Sequence, residues 1–184
     1  SRVSGVSAVP GAGTDVPLYI LGSSLFGAQL AATFGLPYAF ASHFAPSALL
    51  DAVALYRREF QPSAQLSEPH VIAGVNVLVA DSDDDAVEQF EAVRRWRVAR
   101  FVAPGRDLSD DEADAILRSP QGRQIAQMMH YSAIGSPSSV ATYLASFIEQ
   151  VGVDELMTVH PSPTLEQRLR SIDLLADALD PVTV

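Results

Sequence analysis

The amino-acid sequence predicts an α/β fold with a parallel sheet, and two observations carry that expectation. Short apolar runs alternate with amphipathic helical stretches along nearly the whole chain. Strands separated by helices pair in parallel, because the helix supplies the crossover between them. Four of these runs also end in a turn-forming or hydroxyl-bearing group just before the next helix: Gly22-Ser23-Ser24, Ser42-His43-Phe44, Ala80-Asp81-Ser82 and Val159-His160-Pro161.

Residues 1–16, rich in Gly, Ser, Val and Pro without helical period, read as an extended lead-in. LYILGSS (18–24) is the first strand, and LFGAQLAATFG (25–35) is a helix stopped by Gly35. PYAFASHF (37–44) is the second strand, with a helix over 46–60. VIAGVNVLVA (71–80) is the third. The helix after it opens on Asp83, Asp84 and Asp85 and closes on arginines, matching the helix dipole at both ends. Ser109 and Glu112 form a capping box for a short helix over 109–119. Residues 121–135 read as helical for much of their length. Ser136-Pro137 opens a helix to 152, DELMTVH (154–160) is the fourth strand, and a second Ser-Pro start at 162 opens a closing helix.

Composition narrows the function. Of the 184 residues 48% are hydrophobic and 18% charged, as in a globular protein, and the formal net charge is −10. That balance argues against nucleic acid and anionic membranes as partners. All 12 basic residues are arginine, so a bound phosphate must be held by backbone amides, hydroxyls or Arg. Without cysteine, disulfides, thiolate metal sites and a Cys nucleophile are excluded. No run reaches the ~18 apolar residues of a membrane span, and a cytoplasmic location is expected.

Ligands of parallel α/β proteins bind at the C-terminal strand ends. Gly22 there lets a ligand approach the backbone, while Ser23 and Ser24 add hydroxyls to the free N–H groups of Leu25 and Phe26. The competing reading is a plain serine N-cap. His43 and His160 also fall at strand ends, as acid–base candidates or as hydrogen-bonded packing residues. The 103–135 excursion, carrying His130-Tyr131, is either a lid or a surface hairpin. The acids at 81–85 suit a helix start better than a metal site, and Trp96 among Arg94, Arg95, Arg97 and Arg100 suits a solvated helix end. Four βα units fall short of the roughly 250 residues of a closed (β/α)8 barrel. They fit a small open domain or half of such a barrel.

The stretch LYILGSSLFGAQLAATFGLPYAFASHFAP resembles the bacterial luciferase-like flavin-dependent monooxygenases, and weaker matches follow in HVIAGVNVLVADSDDDA, IGSPSSVATYL and VDELMTVH. The resemblance covers nearly all of residues 6–180 and corresponds to the C-terminal half of the family's TIM-type (β/α)8 barrel. It implies binding of FMN, reduced by a partner flavin reductase, and oxygenation of a small organic substrate with O2. F420 is the alternative cofactor, used by sister oxidoreductases. Gly22, Ser23, Ser24, Leu25 and Phe26 match the family segment that holds the FMN phosphate. Where some relatives carry a further Thr, this chain has Gly27-Ala28. The 103–135 excursion matches the relatives' mobile loop, and His43 is the remaining catalytic candidate. The resemblance further implies a missing N-terminal half as partner, with the other catalytic residues on it, and a homo-oligomer. A non-catalytic, self-associating half-barrel is the competing expectation.

Overall fold

Strand β3, Val71–Val79, organises the molecule: all nine of its residues are buried, as expected of a parallel strand covered on both faces. The computed structural model of the chain describes residues 11, 13–43 and 45–179. Most of the expected lead-in, with Phe44, therefore lies outside the described residues. In chain order the elements are β1 (Ile20–Gly22), α1 (Leu25–Phe34), β2 (Tyr38–Phe40), α2 (Leu49–Glu59) behind a single 3-10 turn, and β3. There follow α3 (Asp83–Phe101), α4 (Asp110–Leu117), α5 (Pro120–Met128), β4 (Ser132–Gly135), α6 (Pro137–Val151), β5 (Glu155–Val159) and α7 (Leu165–Leu179).

All strand pairs are parallel. β1 lies on β2 with Ile20 opposite Tyr38, and β2 lies on the start of β3 with Tyr38 opposite Val71. β5 occupies the other edge of β3, from Ile72 opposite Glu155 to Asn76 opposite Val159. The four expected strands thus neighbour one another in chain order, β1-β2-β3-β5. Among the described residues β1 pairs only with β2 and β5 only with β3, so the sheet is open at both sides.

Strand β4 was not expected: residues 132–135 fall in a stretch read as mostly helical. The helix stops at Met128, and β4 joins β3 beyond the reach of β2, with Asn76 opposite Ser132 and Val79 opposite Gly135. β2 pairs only with Val71, Ile72 and Ala73, which leaves the later backbone groups of that edge in need of partners. The long strand recruits a four-residue segment whose own pattern is too short to announce it. The last helix also starts later than its Ser-Pro signal: it begins at Leu165, and the Thr164 hydroxyl accepts from the Gln167 N–H at 3.2 Å. The capping box of α4 forms as read, Ser109 taking the Glu112 N–H while the Glu112 carboxylate takes the Ser109 N–H.

Alternation along β3 separates two faces. Val71 and Ala73 pack with Ala28, Ala31 and Ala32 of α1 and with Leu49, Val53 and Tyr56 of α2. Val75, Val77 and Val79 pack with Val140 and Leu144 of α6 and Leu175 of α7. Each valine or leucine among them contributes about 1.5–3 kcal/mol when fully buried. The opposite face carries Gly74, Asn76 and Leu78. Leu78 and Ala80 lie in a separate cluster with Ala86, Val93 and Val98 of α3, Ala113 and Leu117 of α4 and Ile125 of α5. Helix α3 and the excursion helices α4 and α5 therefore sit on the inner face of the sheet, near the C-terminal end of β3.

Candidate functional site

Because every strand runs the same way, the C-terminal ends of β1, β2, β3 and β5 share one end of the sheet. At the first of them the chain leaves β1 at Gly22, passes Ser23, and enters α1 with Ser24 in extended N-cap conformation. The Ser24 hydroxyl accepts no capping hydrogen bond, and the first turn of α1 holds no acidic residue. Among the described residues, the helix dipole and the amides of Leu25 and Phe26 thus have no acidic group of their own first turn and no cap side chain to face. Ser23, Ser24, Leu25 and Phe26 are all exposed. The contrast is α6, where the Ser136 N–H donates to Asp83 Oδ1 at 2.6 Å. That amide and the hydroxyls of Ser139 and Ser136 hold the Asp83 carboxyl below its ordinary range. One helix start is filled by the chain's own carboxylate, and the other is open.

The floor of the open loop is Tyr38, a residue that sequence reading left as part of a strand. It is fully buried, and its hydroxyl donates to the Ser24 carbonyl at 3.0 Å. A Cβ on Gly22 would sit 3.5 Å from the Gly27 Cα and 3.7 Å from Tyr38 Cε2, so the loop, the helix and the phenol ring are stacked closely. Burial pushes the Tyr38 phenol up to about 12, keeping it a donor at neutral pH.

His43 follows β2. Its ring packs where a Cβ of Gly74 would otherwise be, and its carbonyl accepts from Asn76 Nδ2 at 2.8 Å. The neighbouring Ser42 hydroxyl donates to the Gly74 carbonyl at 2.6 Å. Burial first, then the positive field of Arg97, lowers the His43 imidazole pKa, which leaves it neutral at pH 7. Asn76, fully buried on the inner face, also donates to the Tyr131 carbonyl, so it ties the end of β2 to the end of the excursion. Asn76 Oδ1 is buried with no hydrogen-bond partner among the described residues.

His160 has a different setting. Its Nδ1 lies 2.8 Å from Ser171 Oγ and its Nε2 lies 3.3 Å from Thr158 Oγ1. Ser171 Oγ accepts the Val79 N–H at 2.9 Å, so the hydroxyl proton is available to Nδ1 of a neutral ring. Burial and then Arg168 lower its pKa. Its ring nitrogens thus meet hydroxyls of α7 and β5, while Ser171 in turn ties α7 to β3, as the packing reading expects. His130 is exposed, with its ring edge against Tyr131 at 4.7 Å between centroids. Thus the chain gathers His43, Asn76, Ser42 and Tyr131 at one place, with Gly22–Phe26 beside them at the neighbouring strand end, and leaves His130 outside.

The acidic run serves helix ends. Ser82 Oγ accepts from the Asp85 N–H, Asp83 reaches α6, and Asp81 pairs with Arg170. Among the described residues no group of three His, Asp or Glu side chains is arranged to hold a metal ion. No described helix is long and apolar enough to cross a membrane.

Comparison with known proteins bears on the fold and the family. The sequence profile of the luciferase-like monooxygenases matches residues 1–155. The chain belongs to that family. A luciferase-like monooxygenase of Escherichia coli (strain K12) is 35% identical over 179 residues, which are 94% of this chain and 52% of that protein. The crystal structure of apo-MsnO8 superposes with a TM-score of 0.76 at 30% identity, over 95% of this chain and 54% of that one. A coenzyme F420-dependent tetrahydromethanopterin reductase from Methanopyrus kandleri shares the fold, with a TM-score of 0.57 at 19% identity, over 90% of this chain and 50% of its own. This luciferase-like chain spans about half the length of the relatives it matches, and its open parallel sheet is half of a TIM-type barrel.

Proposed function

We propose that this chain is the C-terminal half of an FMN-dependent luciferase-like monooxygenase. The observation that carries the proposal is the open start of α1: a helix N-terminus with unused serine hydroxyls, no carboxylate and a rigid phenol beneath it. These features fit a phosphate, which gains from converging amides and hydroxyls at such a place. Ser23 and Ser24, with the amides of Leu25 and Phe26, would hold the cofactor phosphate, and Gly22 would let it approach the backbone. When bound, reduced FMN supplies the electrons with which O2 oxygenates a small organic substrate. Residues of this chain bind the cofactor tail, close the inner face with α3–α5 and keep water away. His43, neutral at the end of β2, remains the catalytic candidate of this reading.

A partner half belongs to the same proposal, and the open sheet edges support it. Leu18, Tyr19 and Leu21 on one open side, with Met157 and Val159 on the other, are exposed apolar groups on or beside unpaired strand edges. A second set of βα units, matching the missing half of the relatives, would pair both edges and complete the barrel. A flavin reductase as source of FMN and a homo-oligomeric assembly belong to the same proposal, as does a lid role for the 103–135 segment.

The test is FMN binding, followed by quenching of flavin fluorescence, with this chain joined to its complementary half. Saturable binding is expected, and Ser24→Ala weakens it by about 1.5–3 kcal/mol, the range for a hydrogen bond to a charged group. No flavin binding by the complete protein overturns the proposal. Unchanged affinity in Ser24→Ala returns that serine to a plain helix start. Binding of F420 in place of FMN keeps the site and changes the cofactor.

A further inference from the structure

The cleft between α3 and the segment after β5 stands out by its charge. Its walls are Trp96 and Arg97 of α3, Pro161, Ser162 and Pro163 after β5, and Arg168 of α7, with Ala92 and Val93 at the back, and it encloses about 510 Å3. Two guanidinium groups and no carboxylate line it, in a chain of formal charge −10. Three nearby arginines are neutralised locally: Arg94 by Glu91, Arg95 by Asp110 and Asp114, and Arg170 by Asp81. Arg97 and Arg168 have no ion pair among the described residues. Arg97 is nonetheless half-buried, where an ionised group without a counter-charge is costly. The Ser162 hydroxyl, in the same wall, is buried and has no hydrogen-bond partner among the described residues. Trp96, 62% exposed, lends the cleft a flat apolar surface beside these donors.

We propose that this cleft is a binding subsite for a planar organic anion, of which an aryl carboxylate is the simplest member. Its anionic oxygens would be held by Arg97, Arg168 and Ser162, and its apolar body by Trp96 and the two prolines. Guanidinium forks match carboxylate oxygens in geometry as well as in charge, and an apolar ring lies well on indole. The cleft flanks the C-terminal end of β5, three strand positions from β1, or about 14 Å at ~4.8 Å per strand. It is thus separate from the proposed phosphate seat at α1. Resting on the monooxygenase reading above, the anion bound here is the substrate rather than the cofactor.

Trp96 is the single tryptophan of the chain, so its emission reports on this cleft without flavin. Titration with sodium benzoate is expected to give a saturable change in Trp96 fluorescence, at least tenfold weaker with neutral benzamide. Arg97→Gln and Arg168→Gln should each weaken benzoate binding at least tenfold. Arg168 is exposed, so that variant keeps the fold, and circular dichroism verifies it for both. No saturable change with benzoate, equal binding of benzamide, or parental affinity in both variants overturns the proposal. Since no flavin is present, failure of the cofactor reading leaves this result standing and removes only the identification of the anion as substrate.

Discussion

Replacing Tyr38 by phenylalanine takes a single oxygen from beneath the Gly22–Ser24 loop and leaves the buried ring in place. The lost interaction is the hydroxyl's hydrogen bond to the Ser24 carbonyl at 3.0 Å. The carbonyl's other partner, the Ala28 N–H at 3.4 Å, is long, so the phenol is its principal donor. A buried neutral hydrogen bond contributes about 1 kcal/mol net, and more where the abandoned acceptor stays dry. Ser24 is exposed and water can reach it, so the expected loss is about 1 kcal/mol, or roughly 2–4 °C in melting temperature for a chain of this size. Urea unfolding at pH 7 should show a lower midpoint with an unchanged slope. A second arm uses alkali. Burial raises the folded pKa of Tyr38 to about 12 from its ordinary value of 10.0. The stability tied to the neutral phenol is therefore complete below pH 10 and is lost as pH rises toward 12. The deficit of Tyr38→Phe should shrink across that window. An unchanged or raised midpoint at pH 7, or a deficit that persists undiminished at pH 11, would refute the role given to the hydroxyl.

Three further perturbations test the frame around the site. Gly35 ends α1 at φ +61°, with the Gln61 carbonyl and Ser63 where a Cβ would stand. Gly35→Ala should cost about 2–3 kcal/mol in thermal or urea unfolding, through left-handed strain plus the displaced loop. Ser171→Ala leaves the Val79 N–H and His160 Nδ1 without their shared hydroxyl, and should cost about 1–3 kcal/mol. In the same variant the His160 resonance should titrate at a different pH in NMR. Asp83→Asn removes the anion at the start of α6. Because the folded pKa of Asp83 lies below its ordinary 3.8, its contribution is present above that value and disappears as pH falls through the folded pKa. The variant should therefore melt lower than the parent at pH 7 and converge with it in acid.

Much of the frame was legible along the chain. The mostly apolar VIAGVNVLVA read as the third strand, and it became the central one, buried along its whole length. The capping box at Ser109 and Glu112, the acids of 83–85 and the Gly35 stop are local signals, since each depends on groups within a few residues. The loop at 22–24 was legible too, because a strand, a small turn and a helix follow one another directly.

Residues whose roles depend on distant partners were not legible. Tyr38 looked like any strand aromatic until the fold set its hydroxyl under Ser24, fourteen residues away. Asn76 gave no signal inside an apolar run, yet it links the His43 and Tyr131 carbonyls. Arg97 read as one of several solvated arginines, while the packing of α3 on the inner face turned it toward His43 and away from its paired neighbours. β4 exists because β3 outruns β2 and has backbone groups to satisfy. Periodicity and capping express forces between near neighbours, so the sequence alone determined the parallel α/β frame and placed a helix start after Gly22-Ser23-Ser24, while the structure showed that start to be uncapped. Register and the placement of α3–α5 arise from contacts between segments far apart in the chain. Only the tertiary structure could decide which polar groups meet at the strand ends.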